Sequence, residues 1–237
     1  MSDSQPKMIL WQTVPCWGAP STSPFCIKLE TWLRMAKIPY QARVLNRPPR
    51  SATGKVPYIE RSDGSLLADS GAIIEALTAE HGVTLDEGLD ARSQALQTAV
   101  TRMLEDHFYW VIAWDRWIID AHWAQTRVAY FGALPWPMST LVPAVLRGPM
   151  RRALHGQGFG RLTSEAILER TRRDLAALAE LVGDGTAVLD RRSSVDAIAY
   201  AFLVAARCPP WNGPLQQAVA ARPNLMAYCE AIERDYW

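Results

Sequence analysis

Ser23-Pro24-Phe25-Cys26 is the segment whose residue types and spacing point most directly to chemistry. It stands where a helical pattern opens, after the apolar run Met8 to Gln12 and the loop that follows it. A serine at a helix start can cap it by accepting a backbone N–H, and Pro24 at the first helical position lacks an N–H that would be orphaned in any case. The same hydroxyl can instead donate to an anion, so that a thiol bound there would ionise. A helix N-terminus contributes about 0.3–1 kcal/mol to an anion, and a charged hydrogen bond about 1.5–3 kcal/mol. Together they bring a thiol pKa of about 8.5 down to between about 6 and 7, largely ionised at neutral pH. Cap and thiolate donor both remain open for Ser23, and Ser21 and Thr22 are its rivals as donor.

Val56-Pro57 is a second candidate. A proline opening a strand removes a ladder hydrogen bond, so it belongs at an edge or in a cis turn. A cis bond would turn the Val56 backbone outward, offering an N–H and a C=O to an extended peptide-like ligand; a trans bond would make Pro57 an ordinary edge proline. Asp69-Ser70 sets a carboxylate and a hydroxyl at another helix start, where they either cap the helix or hold both ends of a zwitterionic amino-acid group. Tyr109, Trp110, Trp114 and Trp117 recur at helical spacing and either wall a pocket for an apolar or aromatic substrate or fill a core. Ala121 to Ser164 holds no acidic residue but includes Arg127, Arg147, Arg151, Arg152 and Arg161. That patch suits an anionic substrate, an acidic membrane surface or plain water. His81, His107, His122 and His155 form no His-x-x-x-His pair and the cysteines no Cys-x-x-Cys, so no metal site is expected. Gly156-Gln157-Gly158-Phe159-Gly160 lacks the Lys-Ser/Thr of a phosphate loop, and no Gly-x-Ser-x-Gly elbow occurs.

These side chains need elements to position them. Met8-Ile9-Leu10-Trp11-Gln12 predicts a buried strand, followed by a loop rich in Pro, Gly, Ser and Thr. Phe25, Leu29, Trp32, Leu33 and Ala36 then mark one face of a helix, with Lys28, Arg34 and Lys37 on its polar side. Pro39 ends it, and Tyr40 to Leu45 reads as a second strand. Val56 to Glu60 and Ser65 to Ala68 flank Ser62-Asp63-Gly64, a hairpin signal. Asp69-Ser70-Gly71 opens a helix to about Glu80, with Ile73, Ile74 and Leu77 facing inward. Strand, helix, strand, then hairpin and helix, make a small mixed sheet with helices on its faces. Past a polar connector, His81 to Gly88, strand signals stop. Ala91 to about Gln125 reads as a long helical stretch without Pro or Gly, and Pro135, Pro137, Pro143, Gly148 and Pro149 break up the region after it. Helical spacing returns over Ile167 to Val182 and Leu225 to Ile232. The organisation is an α/β unit over residues 1–80 and an all-helical unit over 90–237.

Composition narrows the class. A chain of 237 residues is one large domain or two modest ones, and 49% apolar with 21% charged residues excludes a disordered or fibrous protein. A net charge of +1 leaves no global field to select a polyanion, so no nucleic-acid partner is expected. The longest apolar run, Ala197 to Ala206, falls well short of the ~20 residues of a membrane span. Met1 to Pro6 lacks the basic flank and apolar core of a signal peptide. Cys16, Cys26, Cys208 and Cys229 make no disulfide framework. The expectation is a soluble cytoplasmic protein.

In combination and order, the motifs at Ser23, Val56-Pro57 and Asp69-Ser70 resemble the thioredoxin-like half of a glutathione transferase. Ser193-Ser194-Val195-Asp196-Ala197 is similar to the capping box that starts a buried helix in that family. The resemblance implies glutathione transferase architecture: a thioredoxin-like α/β domain, mixed sheet with hairpin, then an all-α domain. Ser23 to Ala36, Gly54 to Ile59, Asp69-Ser70, His155 to Arg161, Ser194 to Ala197 and Pro223 to Cys229 look more narrowly like the metaxin and failed-axon-connections branch. The family implies glutathione as co-substrate, a small electrophile as partner and a homodimer. By the same resemblance, Ser23 would stabilise the thiolate, Val56 before Pro57 would pair with the tripeptide backbone, and Asp69 and Ser70 would hold its γ-glutamyl end. Lys55 is the candidate for the glycyl carboxylate. The narrower branch implies an alternative, a non-catalytic scaffold or membrane-associated adaptor, and a third reading is thiol–disulfide chemistry through Cys16 or Cys26. Two departures are expected. The short interval from Ser23 to Pro57, with Pro48 and Pro49 inside it, leaves the family's second helix truncated or missing. The long loop Thr13 to Thr22 brings Cys16 near the site.

Overall fold

β1 (Met8–Gln12) is apolar on both faces because it lies inside a four-stranded sheet of order β2-β1-β3-β4. The computed structural model describes residues 8–237, so the Met1 to Pro6 stretch read above lies outside the described residues. β2 (Gln41–Val44) runs parallel to β1, while β3 (Tyr58–Arg61) is antiparallel to β1 and to β4 (Leu66–Ala68). Between β1 and β2 the chain forms α1 (Pro24–Met35), and after β4 it forms α2 (Ser70–His81). The turn at Ser62-Asp63-Gly64 joins the antiparallel pair, with Gly64 at φ +81°. No helix forms between β2 and β3; residues 45–57 are turns and extended chain, and all four residues of β2 are exposed.

α1 departs from the one-sided helix expected. Lys28 is buried, not solvated, because α1 is wedged between the sheet and the helical half; its ammonium meets Glu105 at 2.6 Å. Trp32, also fully buried, donates to the Ser194 hydroxyl at 2.9 Å. Glu30 is buried too, accepting from Gln12 Nε2 at 3.0 Å and from the Tyr40 hydroxyl at 2.9 Å, which ties α1 to the end of β1. One apolar cluster, including Leu10, Leu29, Leu33, Ile59, Ile73 and Leu77, lies between α1, α2 and the sheet.

The helical half is α3 (Ala91–Arg102), α4 (Tyr109–Trp117), α5 (Asp120–Phe131), α6 (Met138–Gln157), α7 (Ser164–Val182), α8 (Ser194–Arg207), α9 (Pro214–Ala220) and α10 (Pro223–Tyr236). α8 is the central post, buried from Ser194 to Ala206, which accounts for the apolar run as core. At its start Asp196 accepts from the N–H groups of Ser193 (2.8 Å) and Val188 (2.9 Å) and from the Tyr228 hydroxyl (2.9 Å), while the Ser193 hydroxyl has no partner among the described residues.

The long stretch from Ala91 is not one helix. Met103–Phe108 forms a wide π-type turn between α3 and α4. A second break follows at Ile118-Ile119, where Arg147 donates to the carbonyls of Trp117 (3.0 Å) and Ile118 (3.2 Å) and to the Asp120 carboxylate (2.6 Å). Those are the orphan carbonyls of a helix end, and a cation is what stabilises them. Conversely, Pro143, Gly148 and Pro149 do not break the next region: α6 runs through all three. Each proline removes one N–H; Val145, whose carbonyl loses the N–H of residue 149, is 69% exposed and can turn to water. Packing of Pro143 and Leu154 and the left-handed Gly158 cap hold the rest.

Candidate functional site

Strand register decides what meets what. Trp11 pairs with Tyr58, Tyr58 with Ala68, and Gln12 with Val44. The segments following β1, β2 and β4, and the one preceding β3, therefore all emerge at one end of the sheet. Ser23, Lys55-Val56-Pro57 and Asp69-Ser70 belong to that end.

The loop Thr13 to Thr22 is pinned onto itself. Cys16 and Ala19 exchange backbone hydrogen bonds at 3.0 and 2.9 Å, and the Thr22 N–H donates to Val14 at 3.0 Å. The Ser21 hydroxyl is spent internally, on the Thr13 hydroxyl (2.6 Å) and the Ser23 N–H (3.3 Å). Thr22 is buried. Ser23 is the cap residue of α1 by position, extended at φ −100° and ψ 123°, yet its hydroxyl makes no cap bond. Capping, one of the two readings of Ser23, is thus not what its side chain does. Cys26 is fully buried, and desolvation pushes its thiol up from its ordinary value against the hydroxyls of Ser23, Ser21 and Thr13. Burial likewise raises Cys16 to about 11, with Arg116 pulling the other way. Burial that favours the neutral thiol makes a poorer redox nucleophile, which weighs against disulfide chemistry at Cys16 or Cys26.

The Val56–Pro57 bond is cis. Pro57 is buried, Val56 half-buried, and among the described residues the Val56 N–H and C=O take no partner. The preceding turn is held by Ser51, whose hydroxyl donates to the Lys55 carbonyl at 2.7 Å and accepts from its N–H at 3.2 Å. The Lys55 residue is exposed. Asp69 has a left-handed φ of +72°, and one of its carboxylate oxygens accepts from Gly71 (3.0 Å) and Ala72 (3.1 Å), capping α2. Its other oxygen has no protein partner among the described residues, and the neighbouring Ser70 is buried.

The aromatic stripe divides. Tyr109 packs on Phe25 at the head of α1, ring centres 5.3 Å apart, and Trp110 lies edge-on to Tyr109 at 5.2 Å. Trp114 is not a pocket wall: helical phase turns it into the main core beside Val111 and Leu154. Trp117 joins Trp123, Tyr130 and Phe131 on α5. Two residues the motifs did not single out lie closest to the Ser23 loop. Arg116 donates to the Thr22 carbonyl at 2.6 Å and to the Tyr130 hydroxyl, and Tyr130 in turn reaches the same carbonyl at 3.3 Å. The available signal was a lone arginine inside the apolar stripe. A surface cavity of about 510 Å³ is lined by the loop itself, through Cys16 and Trp17, together with Tyr200 and Trp237.

Known proteins bear on this geometry. The glutathione S-transferase N-terminal domain model matches residues 24–123, and the C-terminal domain model matches residues 171–232. The chain is 33% identical to the isoprene-epoxide glutathione S-transferase of Rhodococcus sp. (strain AD45), over 94% of this chain and 96% of that one. It is 28% identical to mouse metaxin-1 (93% and 72%) and 29% to Failed axon connections of Drosophila melanogaster (78% and 46%). Among solved structures, a glutathione transferase of Phanerochaete chrysosporium overlays with a TM-score of 0.64 at 14% identity, covering 97% and 96% of the two chains. A Methylobacterium radiotolerans glutathione S-transferase in complex with glutathione sulfonate overlays at 0.54 and 17% identity, over 95% and 90%. These overlays establish the fold. Together with the full-length match to the Rhodococcus enzyme, they show that the chain belongs to the glutathione S-transferase family, in a branch similar to the metaxins.

Proposed function

We propose that the chain is a transferase that adds the thiolate of glutathione to a small electrophile. The observation that supports it most is that the Ser23 hydroxyl, at the head of α1, makes no cap bond, where a cap was the alternative. On this reading Ser23 donates to the sulfur and the helix terminus adds to the same field. Val56 offers its free N–H and C=O to the tripeptide backbone, next to Pro57. The second oxygen of Asp69 and the Ser70 hydroxyl hold the γ-glutamyl end, and exposed Lys55 draws in the glycyl carboxylate. Phe25, Tyr109 and Trp110 begin the electrophile side, with Trp117 further along the same face. The isoprene-epoxide transferase of Rhodococcus makes a small epoxide the first electrophile to assay. The protein would work as a cytoplasmic homodimer, with the sheet and helical domains meeting between residues 80 and 90. Its four free cysteines fit a reducing compartment.

The test is a glutathione titration followed by tryptophan fluorescence and by the ultraviolet absorbance of the thiolate, on the wild type and on Ser23→Ala. Saturable binding with a thiolate band that the variant loses is expected. Absence of binding at millimolar glutathione overturns the reading. One observation favours the alternative, a scaffold or membrane-associated adaptor: Trp136, Val145, Val128 and Leu141 are 85, 69, 63 and 53% exposed. They lie within the acid-free stretch that carries Arg127, Arg151 and Arg152. Sedimentation with phosphatidylglycerol vesicles, combined with failure to bind glutathione, would favour that use.

A further inference from the structure

Among the described residues, Arg116 is a buried cation with no ion pair. It is 4% exposed, and its acceptors there are all neutral: the Thr22 carbonyl, the Tyr130 hydroxyl and, at 2.5 Å, the Ala205 carbonyl. Its Nε is buried with no partner among them. Of the neighbouring Asp115 carboxylate, Oδ2 is taken by Trp211 (3.0 Å) and Gln216 (3.2 Å) and Oδ1 lies 3.1 Å from His122 Nδ1, and among the described residues it forms no ion pair with Arg116. A guanidinium cannot shed its proton, so its burial among dipoles alone is costly until a negative charge arrives. The surroundings keep that charge effective: the Trp17 ring centre lies 5.5 Å from the guanidinium carbon, and Trp17 and Trp117 flank Tyr130 at 6.0 and 6.1 Å.

Both terminal nitrogens of Arg116 are engaged, which leaves no open fork for a carboxylate. The charge therefore acts through Tyr130. That hydroxyl has only a long bond to spend, 3.3 Å to the Thr22 carbonyl, and its proton can swing to a better acceptor. Thr22 is one peptide unit from Ser23. We propose that Tyr130 is the acid that meets the oxygen of the electrophile, with Arg116 as its positioning residue, and that the substrates are epoxides and other electrophiles releasing an oxyanion. The inference rests on the Ser23 reading above. On binding, glutathione loses its thiol proton to solvent. The sulfur then attacks a ring carbon, the S–C bond forms, the C–O bond breaks, and its electron pair goes to oxygen. Oxygen takes the Tyr130 proton, and the phenolate beside Arg116 recovers one from solvent, so thiol plus epoxide gives a hydroxy thioether. Burial holds the Tyr130 phenol protonated beforehand, as it does Tyr109 nearby.

The experiment compares a small epoxide with an aryl halide, whose leaving group needs no proton, on wild type, Tyr130→Phe and Tyr109→Phe. Tyr130→Phe is expected to lower kcat/KM for the epoxide by roughly 100-fold or more, leaving the aryl halide within about 3-fold and the glutathione thiolate band intact. Calorimetry should find the hydroxy thioether product bound about 5- to 10-fold more weakly to Tyr130→Phe, a readout independent of turnover. Equal losses on both electrophiles, no loss on either, or a loss carried by Tyr109→Phe instead overturns the assignment. Failure of the wild type to bind glutathione overturns the underlying reading as well, and is distinguished by the thiolate band alone.

Discussion

The head of α1 and the segment 45–57 leave the same end of the sheet and are built in opposite ways. Around α1 the buried polar groups of Lys28, Glu30 and Trp32 have partners, and the half-buried Ser23 makes no cap bond. Across 45–57 there is no helix, β2 lies open, and Lys55 is exposed. The difference separates two jobs. On the proposed function, ionising a thiol needs a fixed donor and a fixed dipole, which the α1 side offers. Holding the far end of a tripeptide would need only contact area and charge, which the 45–57 side offers sparingly. Catalytic groups that are kept while uniform binding is weakened raise KM more than they lower kcat.

The comparison can be broken most forcefully at Trp32. Trp32→Ala empties a fully buried site between α1 and α8 and abandons the Ser194 hydroxyl. A loss of about 3–5 kcal/mol is expected in urea unfolding, and a loss under about 1 kcal/mol would mean that α1 is not the rigid side. Next comes Ser23→Ala, which should lower kcat/KM by roughly 10- to 100-fold with unfolding unchanged within about 0.5 kcal/mol. A true cap would instead cost about 1 kcal/mol of stability. Lys55→Met sharpens the other side: KM for glutathione should rise about 2- to 5-fold with kcat unchanged, because an exposed charge contributes little.

The smallest effect is expected at Cys16. Cys16→Ser should leave transferase activity within about 2-fold, since burial keeps the native thiol protonated. Its pKa of about 11 lies above the working range, so the thiolate fraction rises with pH. Alkylation by iodoacetamide should quicken about tenfold per pH unit between roughly 8 and 10; a rate already at its plateau at neutral pH would contradict the raised pKa of this half-buried thiol.

The α/β half was legible because its signals are local. Met8 to Gln12, the Asp63-Gly64 hairpin and the Asp69 helix start follow from a few neighbouring residues, and each element formed within a residue or two of where the pattern put it. The site was legible only in part. Ser21 and Ser23 look alike in sequence, and only the folded loop, with Thr13 against Ser21, separates them. Arg116 meets a carbonyl 94 positions away, a contact no spacing rule anticipates. α6 was misread because two prolines outweighed a pattern whose support comes from neighbours, and the break at Ile118-Ile119 depends on Arg147 reaching back from that same helix.

The wide turn at Met103–Phe108 can be understood as a correction of rotational phase. Val100, Leu104, Phe108, Ile112 and Arg116 are all buried, at a strict interval of four. In an ideal α-helix each such step drifts about 40°, so the four steps would carry Arg116 about 160° from Val100. At the wide turn the Tyr109 N–H reaches back to the Leu104 carbonyl, accommodating one extra residue and turning back about 100°. The remaining drift of about 60° fits within a single apolar stripe. Straightening this turn with every residue kept would swing Arg116 out of the interior, whereas deleting one residue would restore ideal helical geometry and leave Arg116 in phase.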